Sequence, residues 1–203
     1  LRALGHQPIV APLFDYVALA WQPPEGAFDA LMLTSAAAVR LAGPGLDALR
    51  QLRCHVVGAA TAAAARQAGF ALMSSDAGDA AVLLARLAAT GARRVLHLAG
   101  RDVVETPTPP FELVHCAVYA ADRRDWSAGE AAAAATADVA LAYSPRAALA
   151  LAESLDAAAR ARIRLAALSA AVAAAAGGGW AACDLAATPD EQALFAAAGL
   201  LCH

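Results

Sequence analysis

Four positions in this 203-residue chain offer the same chemistry, a small residue at the junction of a strand-like run and a helix-like one. Ala30-Leu31-Met32-Leu33 ends at Thr34-Ser35 and opens into Ala36 to Ala42, and Cys54-His55-Val56-Val57 ends at Gly58 before Ala59-Ala60-Thr61-Ala62. Val139 to Tyr143 ends at Ser144-Pro145-Arg146, and Arg164 to Leu168 ends at Ser169 before Ala170 to Ala173. The first N–H groups of a helix have no partner within it. Together with the helix dipole they accept anions. A serine at such a junction is also an ordinary N-cap, and the two roles coexist.

These junctions recur at a nearly fixed offset. Ser144 follows Ser35 by 109 residues, and Ser169 follows Gly58 by 111. The trailing helix repeats too, because Gly78-Asp79 before Ala80 to Leu87 matches Pro189-Asp190 before Glu191 to Phe195 at a distance of 111. An internal repeat of alternating strands and helices predicts an α/β fold with two similar lobes, each a parallel sheet flanked by helices. The junctions of both lobes are then expected to face a shared cleft.

The ends of the chain set the lobe boundaries. Leu1 to Leu4 reads as the end of a helix capped by Gly5, leading into an extended Gln7 to Leu13. A strand count leaves the C-terminal copy short. Residues 1–13 are therefore assigned with 121–203 to a discontinuous lobe whose first strand is apparently missing, and residues 14–120 to a continuous lobe. Two extended crossings, near Leu13 and near Tyr119, join them, the second passing into the charged stretch Ala120 to Asp125. Thr106-Pro107-Thr108-Pro109-Pro110 has no helical option and is expected as loop.

Composition narrows the partners. All 15 basic residues are arginine, so Schiff-base chemistry and a P-loop lysine are excluded. A net charge of −3 argues against general nucleic-acid binding, which needs clustered cations. The alanine runs at 131–135 and 173–176 are too short and too weakly apolar to span a bilayer, and no signal-peptide pattern stands at the N-terminus. A cytoplasmic protein that binds neither nucleic acid nor membrane is expected. Cys54, Cys116, Cys183 and Cys202 form no C-x-x-C pair and read as free thiols. Cys54-His55 and His115-Cys116 point to opposite faces of their strands, and His97 reads as a strand residue, so no metal is expected.

Ordered along the chain, several short motifs carry a resemblance. They are Pro8 to Leu13, Leu33-Thr34-Ser35-x-x-Ala38-Val39-Arg40, Val56-Val57-Gly58-x-x-Thr61-Ala62, Gly69-Phe70 and Val95 to Gly100. They continue with Val118-Tyr119, Ser144-Pro145-Arg146, Leu168-Ser169-x-x-Val172-Ala173 and Ala187-x-Pro189. Together they resemble the uroporphyrinogen-III synthase family over essentially the whole chain. The resemblance implies a monomeric, cofactor-independent hydro-lyase that binds the linear tetrapyrrole hydroxymethylbilane and cyclises it to uroporphyrinogen III, losing water and inverting ring D, in haem biosynthesis. It implies that Tyr119 is catalytic, helping the substrate hydroxyl depart. It also implies that Thr34, Ser35, Gly58, Thr61, Gly100, Arg101, Ser144 and Ser169 bind substrate, the junction residues through backbone N–H groups and Arg101 as a carboxylate contact. Ala37, standing where the family usually has asparagine, supports an alternative reading. In it the chain is a degenerate homologue that binds an anionic tetrapyrrole as a regulatory module without cyclising it.

Overall fold

The computed structural model describes residues 1–77, 80–103 and 106–200. The chain divides into two compact units, Asp15–Asp122 and a second made of Leu1–Phe14 with the described chain from Arg123 onward. Gly78 and Asp79, expected to open the trailing helix of the first copy, lie outside the described residues, as does Cys202.

The continuous unit runs β1 (Phe14–Ala18), β2 (Ala30–Leu33), α1 (Ala36–Leu41), a 3-10 segment (Gly43–Leu49), β3 (Arg53–Val57), α2 (Ala59–Gln67), β4 (Leu72–Ala77), α3 (Ala80–Ala89), β5 (Arg94–Gly100) and β6 (Glu112–Arg123). Its six strands lie in the order β1-β6-β5-β2-β3-β4, and the pairings among β2 to β6 are parallel. Every residue of β2 is buried, as a central strand covered on both faces must be. Leu31 and Leu33 pack with α1 and α2 on one face, through Ala38, Val39, Ala62 and Ala65. Ala30 and Met32 pack on the other, against Leu83, Leu84 and Leu87 of α3.

The topology fixes where chemistry can sit. The chain leaves β2 for β3 and β4 on one side and then returns to β5 on the other, so the winding direction reverses between β2 and β5. In an open parallel sheet such a reversal leaves a crevice beyond the carboxyl ends of the two strands. Strand β6 runs on to Arg123, through residues whose polarity suggested a connector. Val118 and Ala120 are both buried, so the strand's alternation continues past Tyr119.

The second unit opens with a 3-10 turn (Arg2–Leu4) ended by Gly5 at φ 82°, a left-handed cap that glycine adopts without steric cost. Residues 7–13 are extended without joining a sheet. Pro8 and Pro12 supply no ladder donors there. Trp126 Nε1 donates to the carbonyls of Ala11 (3.0 Å) and Pro12 (3.2 Å), and the Arg124 amide donates to Leu13 (3.1 Å). Then follow α4 (Ala128–Ala134), β7 (Val139–Ala142), α5 (Pro145–Ser154), α6 (Ala157–Arg160), β8 (Arg164–Ala167), α7 (Ala170–Ala176), β9 (Ala182–Leu185) and α8 (Glu191–Ala197). The three strands are parallel in the order β7-β8-β9. Helices α5 and α7 cover one face through Ala148, Val172 and Ala176, and α8 covers the other through Leu194 and Ala198. The arrangement parallels α1 and α2 opposite α3 in the continuous unit.

Candidate functional site

At the switch point of the continuous unit, Tyr119 reaches from β6 across the end of β5. Its hydroxyl donates to Ser35 Oγ at 3.1 Å, at the β2–α1 junction. The bridge crosses at Gly100, where a Cβ would stand 2.8 Å from Tyr119 Cζ. The register shifts there, so that Tyr119 rather than Val118 lies opposite Gly100, and the Arg101 amide donates to the Tyr119 carbonyl at 2.8 Å. Tyr16 of β1 stacks on the same ring at a centroid distance of 5.7 Å. Ser35 Oγ also accepts from the Ala37 amide at 3.1 Å, which makes it the N-cap of α1. With both acceptor positions of Ser35 used, its hydroxyl proton remains to donate.

Beneath this bridge lies a polar layer. Thr34 Oγ1 is 2.9 Å from Nε2 of His97, and His115 Nε2 donates to the Gly100 carbonyl at 3.0 Å. The two imidazoles are register partners on β5 and β6 and meet edge to face at 5.7 Å. His97 is 7 % exposed. Burial, helped by His115, pushes its pKa down to about 4, so the ring is neutral near pH 7. The sequence marks both residues as strand histidines and gives no sign that they meet at the junction. The available signal was spacing: each sits within three or four residues of a site position on its own strand.

The junction residues divide by how they start their helices. Ser35, Ser144 and Ser169 each cap with the side chain, on Ala37, Ala147 and Val172 respectively. Gly58 offers no side-chain cap. At φ 84° it turns the chain into α2 and leaves exposed Ala59 and Ala60 at the helix start. Gly58 and Ser35 stand at the ends of neighbouring strands β3 and β2, as Ser144 and Ser169 do at the ends of β7 and β8 in the other unit. Thr61, one turn into α2, is buried at 5 % exposure. Arg101 is already engaged: its guanidinium donates to Asp122 at 2.6 Å and lies 3.6 Å from Asp102, both acting to raise its pKa. Thus Thr34, Ser35, Gly100 and Tyr119 come together, Gly58 and Arg101 flank them, and Thr61 lies in the core below.

An open cavity of 320 Å³ at the opposite, amino ends of β2 and β3 is lined by Asp29, Arg53 and His55 and includes none of these residues. Asp29 is occupied there in holding the Arg93 and Arg94 amides at 2.8 and 3.0 Å.

A family model described as uroporphyrinogen-III synthase HemD matches residues 1–196. Among solved structures, uroporphyrinogen-III synthetase from Helicobacter pylori 26695 is similar at 16% identity and a TM-score of 0.63, with 91% of this chain and 88% of that chain covered. A mutant uroporphyrinogen III synthase from the extremely thermophilic bacterium Thermus thermophilus is similar at 15% identity and a TM-score of 0.51, with 97% and 88% covered. At these identities the likeness speaks for the fold. No curated protein matches the chain. Among the described residues no helix is long and apolar enough to cross a membrane.

Proposed function

The chain belongs to the uroporphyrinogen-III synthase family, lyases of haem biosynthesis that act on a tetrapyrrole, and from that premise we propose that it closes hydroxymethylbilane into uroporphyrinogen III with loss of water and inversion of ring D. In this reading the protein works as a cytoplasmic monomer without a cofactor. The substrate's C–OH bond on ring A breaks with both electrons leaving on oxygen, which takes up a proton and departs as water. A cationic azafulvene remains, and ring D attacks it through the α carbon that already carries the bridge to ring C. That bridge bond breaks and re-forms at the free α carbon of ring D, and the proton of that carbon is lost, which balances the one spent on water. The protein's tasks are to supply that proton, to hold the substrate's carboxylates and to keep a flexible chain in a reactive shape.

Tyr119 is assigned the proton. The observation that carries the assignment is its hydroxyl held on Ser35 Oγ across the end of β5, at the switch point of the sheet. Help of this kind contributes about 10²-fold or more. The carboxylates are assigned to helix-start N–H groups at Gly58, Ser35, Ser144 and Ser169, of which Gly58 has the strongest support because no side chain caps its helix. Arg101 adds a cation when Asp122 releases it, and Thr34 shapes the β2–α1 junction. Thr61 acts from below by fixing the first turn of α2.

The test is product identity. Purified protein incubated with hydroxymethylbilane, followed by oxidation and separation of the porphyrin isomers, is expected to yield type III faster than the spontaneous reaction yields type I. Type I alone at the spontaneous rate would sink the cyclase reading.

A further inference from the structure

The sheet face that carries Ala30 and Met32 on β2, Val95 on β5 and Leu113 on β6 is apolar where α3 covers it. Toward the carboxyl ends of the same strands the stripe turns polar, through Thr34, His97 and His115. Met32, His97 and His115 sit in register side by side. A histidine at 7 % exposure carries a desolvation cost unless its nitrogens are matched, and His97 spends Nε2 on Thr34 Oγ1. His115 spends Nε2 on the Gly100 carbonyl. Because a carbonyl only accepts, Nε2 of His115 carries the proton.

These two bonds tie together the segments between which Tyr119 and Ser35 meet. His97 links β5 to the residue just before Ser35. His115 links β6 to Gly100, over which the Tyr119 ring passes. We infer that His97 and His115 are positioning residues of this site, a brace that through Thr34 and Gly100 sets the distance and angle at which the Tyr119 hydroxyl is presented. The inference rests on the cyclase reading for its effect on rate, and on geometry alone for the brace itself. Neither imidazole is asked to transfer a proton to substrate.

The test uses paired substitutions. Both bonds are made by Nε2, the position that a glutamine side-chain amide can reproduce and leucine cannot. His97→Leu and His115→Leu are expected to lower kcat about tenfold while KM stays within about twofold, since small displacements of a reacting group cost rate rather than binding. His97→Gln and His115→Gln are expected to recover most of that loss. Melting curves on the same samples allow kcat to be expressed per folded molecule. A loss that vanishes on that correction, or glutamine variants as slow as the leucine ones, would overturn the inference. A second readout needs no turnover: in 15N-labelled protein, Thr34→Val should shift the His97 ring nitrogens and leave those of His115 in place. Unmoved His97 nitrogens would equally overturn it. Wild-type protein that makes no type III isomer would count against the cyclase reading alone and leave the nitrogen shifts to decide the brace.

Discussion

Gly100 leaves the space that Tyr119 fills. A Cβ at position 100 would stand 2.8 Å from Cζ, 3.0 Å from the hydroxyl oxygen and 3.1 Å from Cε2 of the tyrosine. The backbone of Gly100 is not in the left-handed region, so room, rather than conformational freedom, is what glycine provides here. Gly100→Ala is therefore expected to push the phenol off Ser35 and lower kcat about 10²-fold, as Tyr119→Phe does by removing the donor. Because both changes strike one unit, the double variant should be no slower than the slower single one. Steady-state kinetics on the three proteins check this, and multiplied losses would show that the two residues act separately.

The pKa of His97 gives the acid limb of stability a direction. Its folded value of about 4 lies below the ordinary histidine value of about 6.5 in the unfolded chain. Between those limits the unfolded state binds the extra proton, so stability falls as pH falls. The contribution is fully present above about pH 6.5, and by about pH 4 it has been lost, to the extent of about 3 kcal/mol as an upper bound. His97→Gln removes that titration, and urea melts from pH 7 to pH 4 should show a flatter slope for the variant. Parallel slopes would mean that His97 is protonated as readily folded as unfolded.

Arg101 stands next to Gly100 with its guanidinium on Asp122. Both side chains are about half exposed, and exposed pairs exchange partners readily. If a substrate carboxylate competes for Arg101, Asp122→Asn should lower KM, by about two- to fivefold, and Arg101→Gln should raise it. Added salt should shrink both effects, because exposed charges are screened. KM values that ignore both substitutions would remove Arg101 from the binding set.

Much of the architecture could be read from periodicity, and part of the site could not. The α/β class follows from strand-like runs punctuated by small residues, and each of Ser35, Gly58, Ser144 and Ser169 is the N-cap residue of a helix. The sequence separates neither Gly58 from the serines nor Thr61 from its surface neighbours, because capping and burial depend on where the helix lies. The His97 to Thr34 bond joins residues 63 apart, and only the parallel register of β2, β5 and β6 brings them together. The charged stretch from Ala120 hides the length of β6 for a related reason. Asp122 and Arg123 look like a connector, yet the backbone pairing outlasts the apolar pattern.

Ser35 and Ser144 make the same cap and, in the proposed mechanism, different chemistry, which allows a controlled comparison. Each accepts from an amide of its own helix, at 3.1 Å for Ser35 and 3.2 Å for Ser144, so replacement by alanine should cost a similar stability, about 1 kcal/mol. Ser35 alone also receives the Tyr119 hydroxyl. Ser35→Ala should therefore lower kcat as well as the melting temperature, since the phenol loses the group that aims it. Ser144→Ala keeps its helix-start N–H groups and should lower the melting temperature with kcat nearly unchanged. Measured side by side, equal stability losses with unequal kcat would assign the difference to the Tyr119–Ser35 bond, because the capping contribution cancels. Equal kcat in the two variants would mean that Tyr119 needs no aiming by Ser35, and the proton would then have to be placed by the ring's packing over Gly100 alone.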